Sequence, residues 1–113
     1  MKTNEFVNNY IMHDSLIESI RTESDNTTVI MIINFAFWMQ KGYKETDPET
    51  GLLKVTFHNV SEFVCPDDLS FNETSILKTS VENERVRFAV LNDMTDDYYD
   101  LYIKATDIDV QPM

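Results

Sequence analysis

Glycine is almost missing from this chain. Only Gly42 and Gly51 occur, so neither a phosphate-binding loop nor a dinucleotide fingerprint can be written, which excludes Walker-type phosphoryl transfer and Rossmann cofactor binding. Cysteine is scarcer still: Cys65 stands alone. That rules out an internal disulfide framework and a cysteine-based metal site, and it points to a reducing compartment. With three prolines and no Gly/Ser-rich tract, no linker, low-complexity segment or repeat divides the chain. Nowhere does an apolar run approach the roughly 20 residues that span a bilayer, and the N-terminus, MKTNEFVNNYIMHDS, lacks the apolar core of a secretory signal. The expectation is a single cytoplasmic domain over residues 1–113, with no membrane partner, metal or cofactor.

Positive charge is the other shortage. Lys and Arg number 9 against 20 Asp and Glu, so the net charge is 9 − 20 = −11, with a pI near 4.3. Nucleic acid and anionic membranes are held by neutralising their phosphates with Lys and Arg, and the few cations here are scattered, so both are poor partners. A basic protein partner, steered in by complementary charge, fits the acidity. Solubility alone fits it too.

What the chain does have is alternation. A short N-terminal helix is expected over Thr3 to Met12, where Phe6, Val7, Tyr10 and Ile11 form one apolar stripe, with Thr3 or Asn4 as N-cap. From Ser15 the period becomes that of a strand, with Ile17 facing away from Leu16 and Ile20. Ser24-Asp25-Asn26-Thr27 reads as a hairpin turn. Thr28 to Gln40 follows as the longest strand, with Val29, Met31, Ile33, Phe35, Phe37 and Met39 on one face and Ile30, Ile32, Ala36 and Trp38 on the other. The helix stripe is the expected cover for this second face.

Asp47-Pro48-Glu49-Thr50-Gly51 is a turn, with Gly51 supplying the permissive position, and Leu52 resumes a strand with Leu53, Val55 and Phe57 inward. Ser61 to Thr74 is irregular, and Pro66 argues against a central strand there. Strands then run over Ser75 to Glu82, Arg85 to Leu91, with Val86, Phe88 and Val90 inward, and Tyr98 to Thr106, with Tyr99, Leu101, Ile103 and Ala105 inward, and Ile108 to Val110 is a candidate edge strand. Six to seven strands joined by tight turns, with one helix, predict a mainly β, antiparallel α+β fold, either a sandwich or a half-barrel.

The candidate chemistry is thin. His13 and Asp14 are adjacent and Ser15 follows, but neighbours in an extended chain point to opposite faces. The pair reads more simply as a structural junction between helix and strand. His58 and Cys65 lack the short paired spacing of zinc ligands. Asp93, Asp96, Asp97 and Asp100 fail the calcium-loop pattern, which needs a turn glycine and a closing glutamate. Asp96 and Asp97 leading into Tyr98, with Tyr102 beyond, give a candidate acidic and aromatic partner surface. Trp38 with Tyr43 is the other candidate anchor.

The step His13-Asp14-Ser15, the aromatic stretch ending in Trp38, and LLKVTFHNVSEF from Leu52 to Phe63 resemble short bacterial proteins of uncharacterised function, some of which are similar to immunity proteins of polymorphic toxin systems. That resemblance implies no catalytic residues. The leading expectation is therefore a small acidic, non-catalytic binding protein, an inhibitor of a basic protein partner that competes with nucleic acid for a cationic cleft. A small-ligand binder with an aromatic pocket around Phe35, Phe37 and Trp38 is the alternative. An enzyme using His13 and Asp14 ranks last. The edge at Ile108 to Val110 and the apolar outer faces also admit a homodimer.

Overall fold

The structure is a computed structural model and describes residues 1–66 and 74–113. Helix α1 (Thr3–Asn9) is shorter than the apolar stripe suggests. Neither Thr3 nor Asn4 caps it: the first turn is closed by the Glu5 carboxylate, which accepts from the Lys2 N–H at 3.1 Å. Among the described residues the strands are β1 (Leu16–Glu23), β2 (Thr28–Ala36), β3 (Thr50–His58), β4 (Glu62–Val64), β5 (Thr74–Glu82), β6 (Arg85–Asn92), β7 (Tyr98–Lys104) and β8 (Asp107–Pro112). They form one antiparallel sheet in the order β4-β7-β6-β5-β1-β2-β3-β8.

The fold is thus mainly β and antiparallel, as the alternation predicts, and the described residues form one short α-helix and eight strands rather than six or seven. The additional strand, β4, falls inside the stretch expected to be irregular. Pro66 lies just past it, and β4 is an edge strand, where proline is tolerated. The rest of that stretch, residues 67–73 with its Asp67-Asp68 pair and Phe71, lies outside the described residues.

Two short links reveal the curvature. β7 is second in the sheet and β8 eighth, yet only Ala105 and Thr106 separate them; β3 is seventh and β4 first, yet only Asn59, Val60 and Ser61 lie between. The links are tied to neighbouring strand ends by Ser61 N–H to Lys104 O at 2.9 Å and Thr106 N–H to His58 O at 3.0 Å. Phe57 on β3 and Phe88 on β6 are four strand spacings apart, about 19 Å in a flat sheet with strands ~4.8 Å apart. Their rings nevertheless meet at 6.3 Å, edge to face.

The sheet therefore bends until its two halves, β8-β3-β2-β1 and β5-β6-β7-β4, face each other across the core. The bend falls where β1 and β5 pair through only Leu16↔Ser75 and Ile17↔Thr74. Each half is a three-strand meander completed by the edge strand that follows the other meander. This topological repeat leaves no repeat in the sequence.

The core is the set of inward residues that alternation picks out: Met31, Ile33, Val55, Phe57, Val86, Phe88, Val90, Leu101 and Ile103 are all fully buried. Helix α1 plugs the mouth between the halves. Phe6 has no exposed surface, and its ring lies 6.0 Å from Phe57 and 6.2 Å from Phe88, while Tyr10 lies 5.9 Å from Phe35. The helix thus covers the Val29–Phe35 face of β2, not the face of Ile30, Ile32 and Ala36 where it was expected.

Two local features correct the expected faces. A bulge between Ile17 and Ser19 inserts one residue, so Ile17 and Ile20 both pack on the core rather than on opposite sides. The expected strand to Gln40 ends at Ala36, where the backbone N–H donates to the buried Ser15 Oγ at 2.9 Å, and Phe37–Met39 make one turn of 3-10 helix. Phe37 then folds back over Gly51. A Cβ at Gly51 would sit 2.6 Å from Phe37 Cε2, so Gly51 serves ring packing inside β3 and not the turn. Gly42, at φ +79°, takes the permissive conformation.

Candidate functional site

The end of β2 at Ala36 gives the site its shape. The chain leaves the sheet over 37–49 and returns at Thr50, and its neck is closed by Trp38 N–H to Glu49 O at 3.2 Å. Gln40 pins the loop to the segment after α1: its amide accepts from Ile11 N–H at 2.9 Å and donates to Ile11 O at 2.7 Å and Ala36 O at 2.9 Å. Further out, Tyr43 OH donates to Asp47 O at 3.2 Å, and Lys44 N–H donates to Asp47 Oδ2 at 3.1 Å. A long loop is here held by a hydrogen bond every few residues.

This arrangement presents Trp38 outwards. Its side chain is 46% exposed, so neither helix nor sheet hides it. Trp38, Tyr43, Glu45 and Glu49 line an open cleft of 590 Å³. Tyr43 also lines a second groove of 320 Å³, with Phe37, Gln40, Lys41, Gly42, Asp47 and Pro48. Both fall within the roughly 300–1,000 Å³ of small-molecule sites. Phe35, Phe37 and Trp38 are not brought to one pocket: Phe35 is in the core, Phe37 stacks on it edge to face at 5.4 Å, and Trp38 lies outside.

The other candidate surface is the outer face of β6 and β7, where Tyr98, Asp100 and Tyr102 alternate with the buried Leu101 and Ile103. Its charges are already matched. Arg87 donates to Asp100 Oδ1 at 2.9 Å and to Tyr98 OH at 2.5 Å, and Tyr98 OH donates to Asp100 Oδ1 at 2.8 Å. The bond to Asp100, then partial burial, holds the Tyr98 phenol above its ordinary pKa, and the bond to Asp100 raises Arg87. Arg85 donates to Glu62 at 2.6 Å and lies 4.2 Å from the Tyr102 ring centroid.

Asp96 and Asp97 stay exposed in the β6–β7 turn, away from Trp38 and Tyr43 in the chain. The turn is organised by Asn92, whose side-chain oxygen accepts from Met94 N–H at 2.9 Å and Thr95 N–H at 3.3 Å, while Asp96 adopts φ +60°. Asp93 accepts from Ser75 Oγ.

At the helix-to-strand step, His13 Nδ1 lies 2.8 Å from Leu77 O and Asp14 N–H donates to Ile76 O at 3.0 Å. His13 Nε2 is 3.5 Å from Asp14 Oδ1. Ser15 does not join them, since its hydroxyl is buried and engaged by Ala36 N–H. His58 pairs instead with Asp109 at 2.8 Å. Among the described residues, no three His, Cys, Asp or Glu side chains converge as a metal site would require, and no helix is long and apolar enough to cross a membrane.

Glu45, Glu49 and Gln40 join the candidate site only in the structure. The sequence signal for the two glutamates is their proximity to Tyr43 in a loop; alternation places Gln40 inside a strand. Comparison with protein-family models, with curated proteins and with solved structures finds no match. The arrangement is that of an acidic β domain with an exposed, braced aromatic loop over 37–49.

Proposed function

We propose that this protein is a small acidic binding domain without catalysis, an immunity-type inhibitor that docks a basic protein in the bacterial cytoplasm through the loop over 37–49. The half-barrel curvature of the sheet serves as a rigid mount for that loop. One observation carries the reading: the only tryptophan of the chain is held on the surface beside Tyr43, with two glutamates alongside. Tryptophan and tyrosine are the residues most often found at the energetic centre of protein interfaces. The net charge of −11 supplies the long-range attraction for a cationic partner.

The test is capture from lysate of the source cell at low and high salt, with the native chain and Trp38→Ala side by side. The expected result is a stoichiometric basic protein that is released as salt rises and is bound at least about 30-fold more weakly by Trp38→Ala, the loss typical of an interface hot spot. The variant should melt close to the native chain, because Trp38 is half exposed. A chain that stays alone at low salt, or a partner retained equally by Trp38→Ala, overturns the reading.

A further inference from the structure

Glu45 and Glu49 differ from most carboxylates on the β6–β7 face and at the sheet edges. Glu62, Asp100, Asp107 and Asp109 each engage a cation or histidine of the chain itself. The side chains of Glu45 and Glu49 have no such partner among the described residues, and they stand with Trp38 and Tyr43 around the 590 Å³ cleft. Lys41 lines the neighbouring groove instead.

We propose that this cleft receives one arginine side chain of the basic partner, its guanidinium stacked on the Trp38 indole and bonded by the Glu45 and Glu49 carboxylates. The inference rests on the partner reading above and names the chemistry by which that site recognises it. Four features carry it.

An aromatic face beside carboxylates attracts a cation and repels an anion. A guanidinium matches both elements at once, since it is planar enough to stack and forked enough to bond carboxylates in pairs, whereas an ammonium is a compact point charge. The chain uses the same arrangement internally, where Arg85 lies 4.2 Å from the Tyr102 ring and donates to Glu62 at 2.6 Å. Finally, the cleft is built before any ligand arrives. Trp38 N–H bonds Glu49 O across the loop neck, Tyr43 OH bonds Asp47 O, and Gln40 fixes the base, so little ordering is left for binding to impose.

Because Trp38 is the only tryptophan, its emission reports the cleft directly. The probe is a blocked Gly-Arg-Gly tripeptide, compared with the same peptide carrying lysine or citrulline, the last being a neutral isostere of arginine. The expected result is a saturable change in Trp38 emission with the arginine peptide, with binding about tenfold weaker for citrulline and intermediate for lysine. The double variant Glu45→Gln/Glu49→Gln should reduce arginine affinity to the citrulline level at an unchanged melting temperature.

Equal binding of arginine and citrulline, no saturable change, or an unaffected double variant overturns the proposal. The two readings fail separately. A captured basic partner that binds Glu45→Gln/Glu49→Gln as tightly as the native chain removes the arginine cleft and leaves the partner. An arginine peptide that binds as expected, with no basic protein captured at low salt, removes the partner and leaves the cleft.

Discussion

If Phe57 and Phe88 meet across the core, their replacements cannot be additive. Both rings are fully buried and stand 6.3 Å apart, although β3 and β6 are separated by three intervening strands. Phe→Leu at either site removes part of a buried side chain and its ring contacts, at a cost of about 1–2 kcal/mol. A domain of this size holds roughly 5–15 kcal/mol, so both single variants and the double variant stay folded. Urea denaturation of the four proteins then gives the coupling energy, expected near 1 kcal/mol because an edge-to-face aromatic pair contributes about 0.5–1.5 kcal/mol beyond its burial. In a flatter sheet the two sites would be remote, and their effects would add to within about 0.3–0.5 kcal/mol. Additivity at that level refutes the bent sheet. Phe6 touches both rings, so the cycle is repeated in a Phe6→Leu background, where coupling by direct contact survives and coupling relayed through Phe6 does not.

Two further perturbations probe the loop and the outer face. Gln40→Ala removes three hydrogen bonds to Ile11 and Ala36 and leaves partly buried backbone groups unpaired, at about 1–3 kcal/mol; amide exchange should quicken over 37–49 while β6 stays protected, and equal exchange in both proteins would show the loop held by other means. Tyr98 has a raised folded-state pKa, chiefly from its bond to Asp100, so the stability it contributes is fully present below the unfolded value near 10 and is lost as pH rises through the folded one. The difference in alkaline absorbance between the native chain and Tyr98→Phe should therefore titrate above free tyrosine, and a midpoint at or below the free value rejects the network.

Legibility in the sequence followed the range of the physics. Alternation is local, and it placed Leu53, Val55 and Phe57 of β3, Val86, Phe88 and Val90 of β6, and Leu101 and Ile103 of β7 on the inner face, where the structure has them. It failed where a single backbone event overrides the period. The bulge after Ile17 rotates Ile20 to the core side, and the Ser15 hydroxyl takes the Ala36 N–H that a longer ladder would have used. Strand β4 pairs with β7 over only three residues, too few to generate a period. The exchange of edge strands between the two meanders depends on which distant strands meet, and no local pattern encodes it. At the candidate site, Trp38 stands out in the sequence as the sole tryptophan and Tyr43 as an aromatic in a polar stretch, whereas Glu45 and Glu49 gain meaning only once the loop brings them beside Trp38.

The β8 edge of the sheet and the outer face of β6 and β7 narrow the choice of docking surface by what their polar groups already do. On β8, Ile108 is met from outside by Met1, through Ile108 N–H to Met1 O at 2.8 Å and the Met1 amine to Ile108 O at 2.6 Å. Outward backbone groups recur every second residue along an edge, so Val110 and Pro112 come next, and proline has no N–H to offer. Such an edge is a poor template for a second copy's strand. On β6 and β7, Arg85 and Arg87 occupy Glu62, Asp100 and the tyrosines between them, so an incoming cation would have to displace a bonded arginine to gain one of those two carboxylates, and Asp96 and Asp97 in the turn stand open without an indole beside them. At the loop over 37–49 nothing has to be displaced. A basic partner there gains two unpaired carboxylates and an exposed indole, and it meets a backbone that is already fixed.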